Sequence, residues 1–171
     1  MATQTQNYGA WTPMTITNIG IAPSATAGWQ SARVDNKTSV NALDYEILVY
    51  LAAVNTAPAN GKVIYVYAVP WVNDDSTNWY PGDGGNATLP TGSEGTITIA
   101  DVTANPNNFK LLGTVQNYVQ NTPTAGVFFL SNAFGQTMPD GWSLVIINYT
   151  GETLTGTGSY VGYRAIKGTV G

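Results

Sequence analysis

The sequence predicts an all-β protein, a single-domain antiparallel β-sandwich, jelly-roll-like, with about nine strands. Three observations carry that expectation. No stretch of helical length places apolar residues at i, i+3 and i+4. Extended segments rich in β-branched and aromatic residues recur between clusters of turn residues, at spacings that suit a sandwich or jelly roll. At 171 residues the chain has the size of one ordinary domain, long enough for a real core.

Residues 1–11 read as an N-terminal arm. Met1 to Asn7 is polar, with neither the basic start nor the apolar stretch of a secretory leader. Nothing in it can build a core, whereas Tyr8 and Trp11 are anchors of the kind that dominate interfaces, so the arm is expected to order against a neighbouring subunit. The sandwich then spans 12–171. Thr12 to Ile19 is expected as the first strand and Gly28 to Val34 as the second, with Trp29 and Val34 its heavier apolar positions.

In Asp44 to Ala53, Tyr45, Ile47, Val49 and Leu51 share one face. Leu48 and Tyr50 make the other face apolar as well, which fits a strand buried on both sides or one whose outer face meets another subunit. The Asn60-Gly61 pair in the following loop signals a hairpin, returning along Lys62 to Val69, so these two strands are expected side by side at the centre of one sheet. A long loop is expected over 70–95, functional or ordered by a partner. Strands resume at Thr96 to Ala100, Phe109 to Val115, Gly126 to Leu130, Trp142 to Tyr149 and Ser159 to Ile166. A short helical turn near Thr103 to Asn108 is also compatible with Asp101 or Thr103 as its cap.

Composition narrows the function. Charged residues make up 9% of the chain, against roughly 25% in a typical soluble domain. Either neutral polar residues provide solubility, or partners cover much of the surface. A net charge of −4 with scattered basic residues leaves no footprint for phosphate backbones, so nucleic acid is not an expected partner. The longest apolar run, Ile47 to Val54, is less than half a membrane span, so neither is a membrane, and the chain is expected to be soluble in the cytoplasm where it is made. There is no His, the commonest general base, and no Cys, so ordinary hydrolytic triads and zinc-thiolate sites are excluded. No catalytic residue, metal ligand or cofactor is assigned.

Candidate binding residues cluster in the long loop. Trp71, Trp79 and Tyr80, with Asp75 and Asn78 between them, resemble the aromatic platforms on which sugar rings stack; packing or subunit contact is the heavier reading. Together with Tyr8 and Trp11 they form the set of interface or ligand residues. Asp74, Asp75 and Asp83 supply oxygens of the kind calcium takes, but without the alternating EF-hand pattern they read as solvated carboxylates. A glycosidase-like pair such as Asp83 with Glu94 would sit in Gly-rich loops and is disfavoured. Asn36-Lys37-Thr38, Asn86-Ala87-Thr88 and Asn148-Tyr149-Thr150 fit the glycosylation sequon at the frequency expected by chance in an Asn- and Thr-rich chain. Gly82-Asp83-Gly84-Gly85 lacks the Lys-Ser/Thr ending of a phosphate loop and reads as a flexible turn.

The C-terminal third runs Met138-Pro139-Asp140-Gly141-Trp142 through Ile146-Ile147-Asn148-Tyr149-Thr150-Gly151-Glu152-Thr153-Leu154, then Gly158-Ser159-Tyr160-Val161-Gly162-Tyr163-Arg164. This resembles a pattern in tailed-phage virion proteins: a hydrophobic strand ending in Asn-x-Thr-Gly-x-x-Leu, then a Gly-rich turn into an aromatic final strand. Physically, Asn148 and Gly151 make the strand exit and Leu154 folds back over the core. The stretch from Asp44 through Ala57-Pro58-Ala59-Asn60-Gly61 to Trp71-Val72-Asn73-Asp74-Asp75 is similar too.

The resemblance is to small jelly-roll-like structural proteins of tailed bacteriophages, of the capsid decoration or cement type. It implies no enzyme activity and no cofactor. It further implies a homo-oligomer, with a trimer favoured, contact with the major capsid protein or other virion proteins, and residence in the virion after synthesis in the host cytoplasm. The rival readings are a tail, neck or baseplate component, and a carbohydrate-binding or host-adhesion module that would take a glycan.

Overall fold

Strands that are distant in sequence pair in nested order. The computed structural model describes residues 4–38, 42–54, 56–57, 63–75, 77–82, 89–99, 109–116, 120–135 and 137–170. Its strands are β1 (Gln4–Tyr8), β2 (Thr12–Pro13), β3 (Ala27–Gln30), β4 (Val34–Asp35), β5 (Asp44–Leu51) and β6 (Ile64–Asn73), followed by β7 (Trp79–Pro81), β8 (Gly95–Thr98), β9 (Lys110–Val115), β10 (Thr124–Phe129), β11 (Gly141–Asn148) and β12 (Tyr160–Val170). One helical turn, α1 (Ser131–Phe134), stands between β10 and β11; the helical turn expected near 103–108 lies outside the described residues.

The first sheet runs β1-β12-β5-β10, with β2 also on β12; the second runs β7-β6-β11-β3-β8, with β4 also on β11 and β9 on β6. All pairings are antiparallel. Thus β1 and β2 meet β12, β3 and β4 meet β11, β5 meets β10, and β6 meets β9, one pair inside the next. A long hairpin rolled so that its arms alternate between two facing sheets gives this order, and it is the jelly-roll topology. The strands β7 and β8, both between β6 and β9 in sequence, extend the second sheet at its margins.

The all-β sandwich therefore stands, with twelve strands among the described residues rather than nine. The difference has local causes. The expected arm contains β1, the expected loop over 70–95 contains the end of β6 with β7 and the start of β8, and the segment Gly28 to Val34 is divided between β3 and β4. Of Thr12 to Ile19 only Thr12–Pro13 forms a strand: a turn, closed by Ile19 N donating to Ile16 O at 3.1 Å, carries the Ile19 side chain into the core instead.

A larger correction concerns β5 and β6. They lie in different sheets, so the chain between them crosses the sandwich instead of closing a hairpin; the Asn60-Gly61 pair itself lies outside the described residues. Both strands carry an inward apolar row, Tyr45, Ile47, Val49 and Leu51 on one and Ile64, Val66 and Ala68 on the other, and both rows are buried in the same core. A turn signal marks a reversal of the chain. Which strand each arm pairs with is decided by contacts far away in sequence.

Trp29, Trp142, Tyr45 and Tyr163 give this core its bulk; the Tyr45 and Trp142 ring centroids are 5.1 Å apart, and Trp142 meets Tyr163 edge-on at 5.2 Å. The second sheet is buried on its outer face too. There Tyr67, Val69, Val145 and Ile147 pack beneath Ile97, Ile99 and Phe109, all contributed by the chain between β6 and β9. Hence all eight residues of β11 are buried.

Burial pushes the phenols of Tyr45 and Tyr67 up to about 12, with the neighbouring Tyr65 adding to the effect at Tyr67. A folded-state pKa raised above the unfolded value near 10 adds stability that is complete below about pH 10 and disappears as pH rises through 12. With no His to titrate, the melting temperature is expected to be level from about pH 6 to 9 and to fall steeply between about 10 and 12. Thermal melts followed by circular dichroism across that range check it; a level profile to about pH 12 would contradict it.

Candidate functional site

The five aromatic residues singled out from the sequence fall into two clusters, one on each sheet, and each cluster surrounds an arginine. Tyr8 ends β1, which pairs in register with β12 of its own chain from Gln4 opposite Val170 to Tyr8 opposite Ile166. The arm is thus an edge strand of the first sheet, where an association with a neighbouring subunit was expected. Its polar side chains are no obstacle, because an edge strand is held by its backbone ladder. Beyond Tyr8, Gly9 N donates to Ala165 O at 2.8 Å and β2 rejoins β12, so Trp11 sits over the same strand.

Between these aromatics lies Arg164. Its guanidinium carbon is 4.6 Å from the Tyr8 ring centroid and 5.0 Å from that of Trp11, and Glu46 accepts from its Nε at 2.6 Å and pairs with Nη2 at 2.5 Å. Stacking on two rings while pairing with a carboxylate satisfies both the charge and the flat faces of the guanidinium.

This cluster belongs to the outer face of the first sheet. Alternation puts Glu46, Leu48 and Tyr50 of β5 on that face, opposite the buried row. The registers align Arg164, Glu46 and Phe129 in one row, Gly162, Leu48 and Val127 in the next, and Tyr160, Tyr50 and Ala125 in the third. The Tyr160 ring lies over Gly162, so close that a Cβ there would stand 2.6 Å from its Cζ. Val127 is 54% exposed, Tyr8 50% and Tyr50 37%, while Leu48, Phe129 and Tyr160 are half-buried. The face is therefore apolar and aromatic around the Arg164–Glu46 ion pair, with Asp44 at its margin accepting from Ser131, and no part of the described chain covers it.

The second cluster is built by the β6–β7 hairpin, in which Trp71 opposes Pro81, Val72 opposes Tyr80 and Asn73 opposes Trp79. Asn78 closes the turn, donating from Nδ2 to Asp74 at 2.8 Å while its carbonyl accepts from Asn73 Nδ2 at 3.1 Å. Asp140 accepts from Asn73 N at 2.9 Å, and Asp75, at φ 63°, forms an ion pair with Lys37. Of the carboxylates considered for calcium, Asp74 is thus engaged within its own loop and Asp75 by Lys37 from the chain between β4 and β5, and Asp83 lies outside the described residues.

Trp71 departs from the expected aromatic platform. It is 2% exposed, and its Nε1 donates to Ser143 Oγ at 2.9 Å, so it belongs to the interior. Trp79 is half-buried and Tyr80 is 56% exposed, flanking an open cleft of about 440 Å³ that Arg33, Asn78, Leu89 and Thr91 also line. Sequence reasoning missed Arg33. It is separated from these aromatics by some forty residues, and no local pattern marks it.

Glu94, considered as one of a catalytic pair, is a clamp. It accepts from Trp29 Nε1 at 2.7 Å and from Asn18 N and Nδ2 at 2.7 and 2.8 Å. Asn36 and Asn148, two of the sequon asparagines, are buried and hydrogen-bonded, while Asn86 lies outside the described residues. The strand exit reads as expected: Asn148 is sealed, Gly151 has φ 93°, and Leu154 folds back to 2% exposure. No family model matches the chain, no curated protein matches it, and no solved structure matches it.

Proposed function

We propose that this protein is a structural component of a tailed-phage virion, a capsid decoration or cement protein that docks on the assembled shell through the outer face of its first sheet. The observation carrying this reading is the asymmetry of the sandwich. Both sheets have apolar residues on both faces; the second is largely covered by the protein's own β6–β9 connection, with Leu111 still 48% exposed, and the first is left uncovered by the described chain along Tyr8, Leu48, Tyr50 and Val127. An apolar face of this kind on a chain with 9% charged residues fits a surface that a partner covers. The phage-like pattern from Met138 to Arg164 supplies the partner's class, and the absence of His and Cys agrees with a role in assembly.

Docking stabilises the particle by mass action: a protein that binds only the assembled shell shifts the equilibrium toward assembly. Association into trimers would present three such faces together, multiplying the affinity of each. Addition of the protein to purified expanded capsids should give saturable co-sedimentation and raise the temperature at which the shells come apart. Shells that neither retain the protein at about 10 μM nor change in thermal stability would rule the proposal out.

A further inference from the structure

The two arginine clusters differ in one respect. Arg164 has its aromatic rings and a paired carboxylate, whereas Arg33 has the rings but no paired carboxylate among the described residues. Its guanidinium carbon lies 4.1 Å from the Trp79 ring centroid and 5.3 Å from that of Trp71. The ion pairs among the described residues are Lys37 with Asp75 and Arg164 with Glu46, so Arg33 has none. The acid nearest in sequence, Asp35, is occupied by the backbone N–H and hydroxyl of Thr38. Arg33 Nε is buried without an acceptor. Burial lowers the Arg33 pKa, opposed by the charge of Asp35.

The arginine is also held in place. Its backbone N donates to Gly92 O at 3.0 Å, and Gly92, at φ 76°, leaves the space in which a Cβ would stand 3.4 Å from both Arg33 Nη1 and the Trp71 ring. A cation held against two indoles, with no carboxylate paired to it among the described residues, faces a cleft of about 440 Å³. Beside it are an exposed tyrosine ring and the polar groups of Asn78 and Thr91.

We infer that this cleft binds an acidic sugar, a uronate or sialate residue of a polysaccharide, whose carboxylate pairs with Arg33 and whose ring lies against Tyr80. The carboxylate completes the arginine as Glu46 completes Arg164. A pyranose combines an apolar C–H face, which suits an aromatic ring, with hydroxyls that suit an amide and a threonine at the rim. The site lies on the second sheet, away from the proposed docking face, and does not depend on that proposal.

The test is an NMR titration of the full chain with trigalacturonate and with sialyllactose, each beside its neutral counterpart, methyl-esterified trigalacturonate or lactose, and with triglutamate. At least one acidic sugar should shift the Trp79 indole N–H with a Kd of about 0.1–1 mM. Its neutral counterpart should bind about tenfold more weakly or worse, and which acid binds assigns the sugar. Tyr80→Ala changes an exposed residue and should weaken binding about tenfold at an unaltered melting temperature; Arg33→Met should abolish it. No shift with either acidic sugar at about 10 mM, equal binding of acid and neutral forms, indifference to Tyr80→Ala, or equally tight binding of triglutamate would each overturn the inference.

Discussion

Replacing Asn148 by Asp is expected to destabilise the fold more than replacing it by Ala. Asn148 is fully buried where β11 ends, and its amide works in both directions. Nδ2 donates to Ile21 O at 2.9 Å and to Glu152 O at 2.6 Å, while Oδ1 accepts from Thr150 N at 3.2 Å and Thr150 Oγ1 at 2.7 Å. One side chain thereby joins the loop before β3 to the corner that turns toward β12. Alanine removes all four bonds and leaves Thr150 N without its acceptor, a loss of about 2–4 kcal/mol, or roughly 5–15 °C in melting temperature for a domain of this size.

Aspartate keeps the acceptor but places a second oxygen against two carbonyls in a site without solvent, adding the cost of a buried, unpaired charge. Asn148→Asp should therefore melt below Asn148→Ala at neutral pH and recover part of the difference as the pH is lowered through the carboxyl's titration, where a protonated oxygen can donate again. Urea and thermal melts of both variants decide it. Equal stability at neutral pH would show that the corner does not depend on this amide.

Placing a charge at Val127 should separate docking from folding. Val127 is 54% exposed and lies in the middle row of the open face, opposite Leu48. In the free protein Val127→Glu exchanges one solvated side chain for another, with an expected change within about 0.5 kcal/mol. On the shell the same carboxylate would be enclosed without a partner, costing about 2–4 kcal/mol, so binding should weaken by roughly 30- to 1000-fold. The control is Val72→Glu, 59% exposed on the second sheet, which should leave shell binding as it was. Loss of binding in both variants, or in neither, would remove the first sheet's face from the account.

The sequence conveyed local structure well and pairing poorly. The inward row of β5, the β-rich run of β6, the continuously apolar β11 and the corner from Asn148 to Leu154 were all legible, because period-two patterning and turn chemistry act over a few residues. The β5–β6 arrangement was not: the same alternation serves two strands of a hairpin and two strands that face each other from different sheets. The arm was misjudged for a related reason, since a polar strand such as Gln4–Tyr8 is stabilised by backbone bonds that leave no trace in hydrophobicity.

At the site, aromatic residues were found but not their roles. Trp71 and Tyr80 look alike in sequence, yet alternation and the pairing of β6 with β11 send one into the interior and leave the other 56% exposed. Leu48 and Tyr50 did signal the open face, as apolar residues on the wrong side of an alternating strand. Arg33 gave no signal, because its relation to Trp71 and Trp79 exists only after β4 and β6 have both docked on β11.

The most direct test of the central claim is a cryo-EM reconstruction of virions carrying this protein, resolved well enough to place its two sheets. The account predicts jelly-roll density on the outside of the capsid, with the outer face of the β1-β12-β5-β10 sheet against the shell and Leu48, Tyr50 and Val127 inside the contact. Density in which that face points to solvent, or in which the protein occupies only the tail, would contradict it.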